Sequence, residues 1–313
     1  MRIGIDLGGT TIKAGLVTED GKIRYKSAIP TGAQRHYTEI LADMAKLAIK
    51  VCEDTGYSID DITSIGIGSP GSCDAKNGVL VYANNINFHN VPVREEMQKY
   101  INKPIYLEND ANVAAYAEYC MGGKKEECFI AVTLGTGVGG GIIMNGKIFS
   151  GYNGAGGELG HMVIKKDGAA CTCGRKGCWE AYASASALIA QTKRAIIENK
   201  NSIMNDMIDG NIDRVDGKTA FDAAKQGDKA ALEVVKKYAE YVGCGIANII
   251  NIFQPEKVVI GGGISNQGDY LLNPIKEYCT LEVYSGANIG GINIEIAKLG
   301  NDAGIIGAAL LNE

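Results

Sequence analysis

A basic surface, a long apolar run and a proline-rich connector are all missing from this sequence, and each gap removes a class of function. Lysine and arginine number 31 against 36 acidic residues, a formal net charge of −5. A protein that grips a polyanionic backbone ordinarily carries a basic stripe, so no nucleic acid is expected as partner. No stretch approaches the roughly 18 apolar residues of a spanning helix, and Met1-Arg2 leads directly into a strand-like run instead of a signal peptide. A cytoplasmic protein without a membrane role is the expectation. Only six residues are proline and no flexible linker is visible. With 313 residues, 46% of them hydrophobic, the chain is long enough for two domains of about 100 to 200 residues each.

Glycine is present in excess, at 42 residues, where an average of about 7% would give roughly 22. The glycines cluster at the ends of strand-like runs, a pattern of phosphate-binding loops. Ile3 to Leu7 reads as a strand, Gly8-Gly9-Thr10-Thr11 as a tight turn and Ile12 to Val17 as the returning strand. The device recurs at Phe129 to Leu134, which enters Gly135-Thr136-Gly137-Val138-Gly139-Gly140-Gly141 and leaves through Ile142-Ile143-Met144. The repeat fits either two related lobes or two unrelated hairpins. Helical periodicity between Ile40 and Val51 precedes a strand at Ser64 to Gly68, and a long helix from Leu232 to Phe253 precedes the buried-type strand Lys257 to Ile260. Gly243 and Gly245 permit close packing of that helix. Asn301 or Asp302 is expected to cap a last helix, Ala303 to Leu311.

The turn Asp6-Leu7-Gly8-Gly9-Thr10-Thr11-Ile12-Lys13 offers backbone N–H groups to phosphate oxygens, and Asp6 suits magnesium held through water. The same run also reads as a plain hairpin. It matches neither a Walker sequence nor a GxGxxG turn that opens a helix. Thr133, Gly135, Thr136 and Gly137 in the second turn, and Gly262 within Gly261-Gly262-Gly263, add further donors.

Cys171, Cys173 and Cys178, with His161 ten residues before the first of them, form a closed tetrahedral set for structural zinc. Reduced cysteines in a polar loop are the alternative. Glu158 and Glu180 stand close in sequence to these ligands, so the metal would brace a loop whose carboxylates accept hydrogen bonds from the hydroxyls of a polyol. Glu180 also reads as an ordinary first-turn acid on a helix Ala181 to Ile189. Finally, Ile105 to Asn109 reads as a strand that passes into an alanine-rich helix at Asp110. An acid there serves as an N-cap, or as the base that takes a proton from a sugar hydroxyl as its oxygen attacks phosphorus.

These residues resemble the ROK family of sugar kinases (repressor, ORF, kinase) over essentially the whole chain, and most closely its bacterial glucokinases. The likeness lies in Asp6 to Lys13, Glu108 to Ala114, Leu134 to Gly141, Gly157 to His161, Cys171 to Glu180 and Val259 to Gly263. The resemblance implies an actin-like (ribonuclease H-like) ATPase fold, two α/β lobes with a central cleft, with ATP and Mg2+ in it. It implies a hexose substrate, glucose favoured, with fructose, mannose, allose, N-acetylmannosamine or N-acetylglucosamine as alternatives, and a homodimer or homotetramer. By position, Asp110 matches the base, and Asn109, Glu158, His161 and Glu180 match residues that contact the sugar; Asn84 is expected to face it too. Residues 1–118 form the expected first lobe, with helix 301–313 packed back on it, and 119–300 the second. Family regulators that sense sugars carry a helix-turn-helix ahead of the first strand, for which a strand starting at Ile3 is expected to leave no room.

Overall fold

The computed structural model describes residues 1–83, 85–284 and 293–312. The chain divides into two compact units, the first Met1–Glu127, Gly141–Gly157 and Leu299–Glu313, the second Cys128–Gly140 and Glu158–Lys298. Residues 119–127, 141–157 and 299–300, assigned to the second lobe by sequence, fall with the first unit.

The first unit contains β1 (Arg2–Leu7), β2 (Thr11–Val17), β3 (Ile23–Pro30), α1 (Tyr37–Glu53), β4 (Ile65–Ser69), the short strands β5 (Ser72–Asp74), β6 (Val79–Ala83) and β7 (Phe88–Val91), α2 (Val93–Gln98), β8 (Ile105–Asn109) and α3 (Asp110–Met121). Its main sheet has five strands in the order β3-β2-β1-β4-β8, with β1, β4 and β8 parallel and β2 and β3 antiparallel. Central strand β1 is nearly continuously buried, whereas edge strand β3 alternates between half-buried and exposed, as a half-covered edge should. Along α1, Ile40, Leu41, Met44, Leu47, Ala48 and Val51 share the buried stripe that their spacing predicts.

After β9 (Cys128–Leu134), β10 (Val138–Met144) and β11 (Lys147–Ile148) come α4 (Glu180–Ala183), α5 (Ala185–Glu198), α6 (Met204–Met207), α7 (Thr219–Lys225), α8 (Lys229–Phe253), β12 (Lys257–Gly261), α9 (Asp269–Glu282), β13 (Asn293–Ile296) and α10 (Ala303–Leu310). The second large sheet runs β11-β10-β9-β12-β13, with β9, β12 and β13 parallel, and the division between units passes through β10. The strand order repeats that of the first sheet, with β9 in the place of β1.

Helix α10 lies on the first sheet at points where side chains are missing: a Cβ on Gly4 or Gly66 would overlap the carbonyl oxygens of Ile305 and Ala308. No side chain caps α10; Asp302 instead pairs with Lys26 at 2.6 Å, so the expected cap is replaced by an ion pair. In the second unit, α8 is capped by Asp228, which accepts the Ala231 N–H at 2.8 Å. Among the described residues no helix is long and apolar enough to cross a membrane.

Candidate active site

Parallel pairing fixes the first part of the site. Asp6 pairs with Gly68 and Gly68 with Glu108, so the C-terminal ends of β1, β4 and β8 reach the same edge of the sheet. In open α/β sheets that edge is where ligands bind. At the end of β8, Asn109 is extended (φ −63°, ψ 144°), and its Oδ1 accepts the N–H groups of Ala111 and Asn112 at 2.9 and 3.2 Å. Asn109 is therefore the N-cap of α3, and the N-cap alternative for Asp110 is corrected. Asp110 is the first helical residue and is exposed, a favourable place for a carboxylate near the positive end of the helix. The Asn109 Nδ2 donates to the Gly71 carbonyl at 3.0 Å.

Beneath them lies Glu108, a residue that the sequence reading did not single out. Only 6% exposed, it accepts the Asn109 N–H at 2.8 Å and the Asn112 Nδ2 at 3.0 Å. Burial pushes its carboxyl above the usual range, opposed by those two hydrogen bonds. The signal was present: strand alternation sets Glu108 apart from Leu107 and Asn109, and Asn112 stands one helical turn away.

At the β1–β2 turn, the Gly8 N–H donates to the Thr11 carbonyl at 3.0 Å, while the Thr31 hydroxyl donates to the Gly8 carbonyl at 2.6 Å. Thr10 is exposed at the tip. Neither Gly8 nor Gly9 has a positive φ, so small size and not handedness explains them; a Cβ on Gly8 would come within 2.8 Å of the Thr11 carbonyl oxygen. Lys13 pairs across the hairpin with Asp6 at 3.0 Å.

In the second unit Thr133, next to last in β9, stands opposite Gly261 of β12, which brings the Gly135–Gly137 turn and Gly262 to one sheet edge. Gly262 has φ +85°, and a Cβ there would overlap the backbone of Leu134. The turn is closed by the Gly135 N–H donating to the Gly137 carbonyl at 3.0 Å. Glu180 reaches it: one carboxylate oxygen accepts the Val138 N–H at 3.0 Å, over a space that a Cβ on Gly137 would fill. The expected helix Ala181 to Ile189 is broken at Ser184 (φ −74°, ψ 164°), whose hydroxyl caps α5 by accepting the Ala187 N–H at 3.1 Å. Glu158 is exposed and precedes a 3-10 turn, Leu159–His161.

His161, Cys171, Cys173 and Cys178 converge, with one ligand atom from each within 4.8 Å of all the others. The His161 Nδ1 is 3.7 Å from the Cys171 sulfur, and the Cys173 and Cys178 sulfurs are 3.7 Å apart. Bonds of about 2.0 to 2.3 Å around a tetrahedral ion require ligand atoms roughly 3.6 to 3.8 Å apart, a separation that these two pairs have, and three thiols with one imidazole suit zinc in kind. A disulfide would need about 2.0 Å, and all nine cysteines are free.

Within the first unit, then, Asp6, Gly8, Gly9, Thr10, Thr11 and Lys13 share a sheet edge with Asn109 and Asp110. In the second, Glu180 joins the Thr133–Gly137 turn to the cysteine loop, accepting the Val138 N–H at 3.0 Å and the Thr172 hydroxyl at 3.3 Å. Asn84 lies outside the described residues.

The ROK family model matches residues 2–313. The chain is 38% identical to a glucokinase of Thermotoga maritima, over 98% of this chain and 95% of that protein. It is 40% identical to a glucokinase of Halalkalibacterium halodurans, over 99% of this chain and 94% of that one. Among solved structures, a ROK family glucokinase from Streptomyces griseus in complex with glucose and AMPPNP superposes with a TM-score of 0.83 at 34% identity, covering 98% of this chain and 97% of that chain.

Proposed function

Since this chain belongs to the ROK family, we propose that it transfers the γ-phosphoryl group of ATP to a hexose, and that glucose is that hexose. The fold is the actin-like ATPase fold of ROK sugar kinases. The observation that carries the catalytic reading is Asp110: an exposed carboxylate on the first turn of α3, where its Oδ1 accepts the Ala111 N–H at 2.8 Å beside the Asn109 cap, at the sheet edge shared with the Asp6 turn.

In this reading Asp110 accepts the proton of the sugar 6-hydroxyl as that oxygen bonds to the γ-phosphorus and the bond to the ADP oxygen breaks. Asn109, whose Nδ2 keeps one hydrogen beyond the bond to Gly71, holds sugar hydroxyls together with Asn84, Glu158, His161 and Glu180. Backbone N–H groups of the Gly8–Thr11 and Gly135–Gly137 turns and of Gly262, with Lys13 and the side chains of Thr133 and Thr136, hold the nucleotide. Magnesium bound with ATP would neutralise phosphate charge, with Asp6 reaching it through water. Zinc on His161, Cys171, Cys173 and Cys178 would be structural, because four protein ligands leave no open position. His161 stands both among the metal ligands and among the sugar contacts. The likeness to glucokinases, one of them bound to glucose and AMPPNP, supports glucose and ATP as substrates. A cytoplasmic homodimer or homotetramer completes the proposal.

The test is a panel of hexoses and acetamido hexoses assayed for sugar-dependent ADP release with magnesium. Glucose should have the highest kcat/KM and yield the 6-phosphate. A higher value for mannose, fructose, allose or an acetamido sugar would reassign the substrate; binding without turnover for every sugar would favour a sugar-sensing role.

A further inference from the structure

Glu180 stands between the glycine turn after β9 and the cysteine loop. Its Oε2 accepts the Val138 N–H at 3.0 Å, and its Oε1 lies 3.3 Å from the Thr172 hydroxyl and 3.6 Å from the Cys171 sulfur. We propose that Glu180 is a positioning residue for the nucleotide: its carboxylate ties the glycine turn after β9 to the cysteine loop, so that the metal cluster braces the phosphate-binding turn as well as the sugar side. The proposal rests on the kinase reading above.

The anchorage is built from several directions. Trp179, next to Glu180, is fully buried, donates its Nε1–H to the Tyr241 carbonyl at 2.8 Å and packs where a Cβ on Gly245 would overlap it. The Trp179 N–H donates to the Met162 carbonyl at 2.8 Å, one residue past His161. From the other side, the Ala185 N–H donates to the Gly135 carbonyl at 2.8 Å and the Ser186 hydroxyl to the Thr136 carbonyl at 2.8 Å. The segment that follows the last cysteine thus holds the turn at Gly135, Thr136 and Val138. The Thr136 and Gly137 N–H groups have no partner among the described residues and are the donors this turn can offer a ligand. A Cβ on Gly137 would take the place of the Glu180 carboxylate and displace it from the Val138 N–H. A preorganised donor costs no rearrangement when charge arrives.

The experiment measures affinity for AMPPNP with magnesium, without sugar, by titration calorimetry on the full chain loaded with zinc. Glu180→Ala should weaken binding by about ten-fold or more, the scale of a lost charge-assisted hydrogen bond. Glu180→Gln should stay within about three-fold, because its amide oxygen can still accept the Val138 N–H. Gly137→Ala, and wild type stripped of metal, should weaken binding as Glu180→Ala does. Zinc content and thermal melting identify a variant that fails to fold; Glu180→Gln and metal removal then carry the test. Wild-type affinity in Glu180→Ala, or a Gln variant as weak as the Ala variant, overturns the link while leaving the kinase reading intact. Absence of AMPPNP binding by wild type contradicts the kinase reading itself, and the link falls with it.

Discussion

Glu108 is held almost out of water at the end of the strand that carries Asp110, and it has a measurable consequence. Burial raises its carboxyl above its ordinary value of 4.5, against the pull of the Asn112 amide and the Asn109 N–H. The folded chain then keeps this proton to a higher pH than the unfolded chain does. Its contribution to stability is complete below 4.5 and is lost as pH rises through the raised folded value. Glu108→Gln retains an acceptor and removes the titration. Urea unfolding should therefore show the difference between variant and wild type moving in favour of the variant from about pH 4 to about pH 8; a difference that stays flat would contradict the burial argument. At this scale the sequence was most legible where residue type alone restricts chemistry. Three cysteines and a histidine at ligand spacing have few other uses. It was least legible where one residue of register matters: Asn109 and Asp110 are both good caps, and only the extended backbone at Asn109 decides between them.

Among the elements, α8 and the segment before α4 form the tightest joint. Gly245 leaves a socket on α8 for Trp179, the one tryptophan of the chain. Gly245→Ala should cost about 1 to 3 kcal/mol, the range for overpacking a filled core, and shift tryptophan emission to longer wavelength as the indole leaves its site. Unaltered emission and melting would show that the joint is looser than its geometry. Repeated strand, glycine turn and strand could be read directly, since hydrophobic runs and glycine clusters are local signals; both sheets place these hairpins at their centres. The break at Ser184 between α4 and α5 is not legible locally, because the alanines around Ser184 suit a continuous helix and the Ala185 N–H is drawn to the distant Gly135 carbonyl. The cap of α10 failed for a similar reason: Lys26, far away in sequence, takes the Asp302 carboxylate.

For the molecule as a whole, sequence composition and motif order fixed the expectation of two α/β bodies, but not that residues 141–157 return to the first. That assignment depends on contacts such as the one between Gly141 and Ala115, where a Cβ would overlap the neighbouring side chain, and no local pattern announces it. A closed metal cluster should also matter to the entire second unit. Cys173→Ala is expected to lose zinc by elemental analysis and to melt at a lower temperature; normal zinc content in that variant would contradict the ligand set. Asp110, at the start of α3, is the proposed base. Glucose affinity by titration and kcat by coupled assay, measured on Asp110→Asn, test it most directly. Affinity should stay within about two-fold of wild type and kcat should fall by roughly 10² to 10⁴. A variant that turns over glucose at the wild-type rate would contradict it.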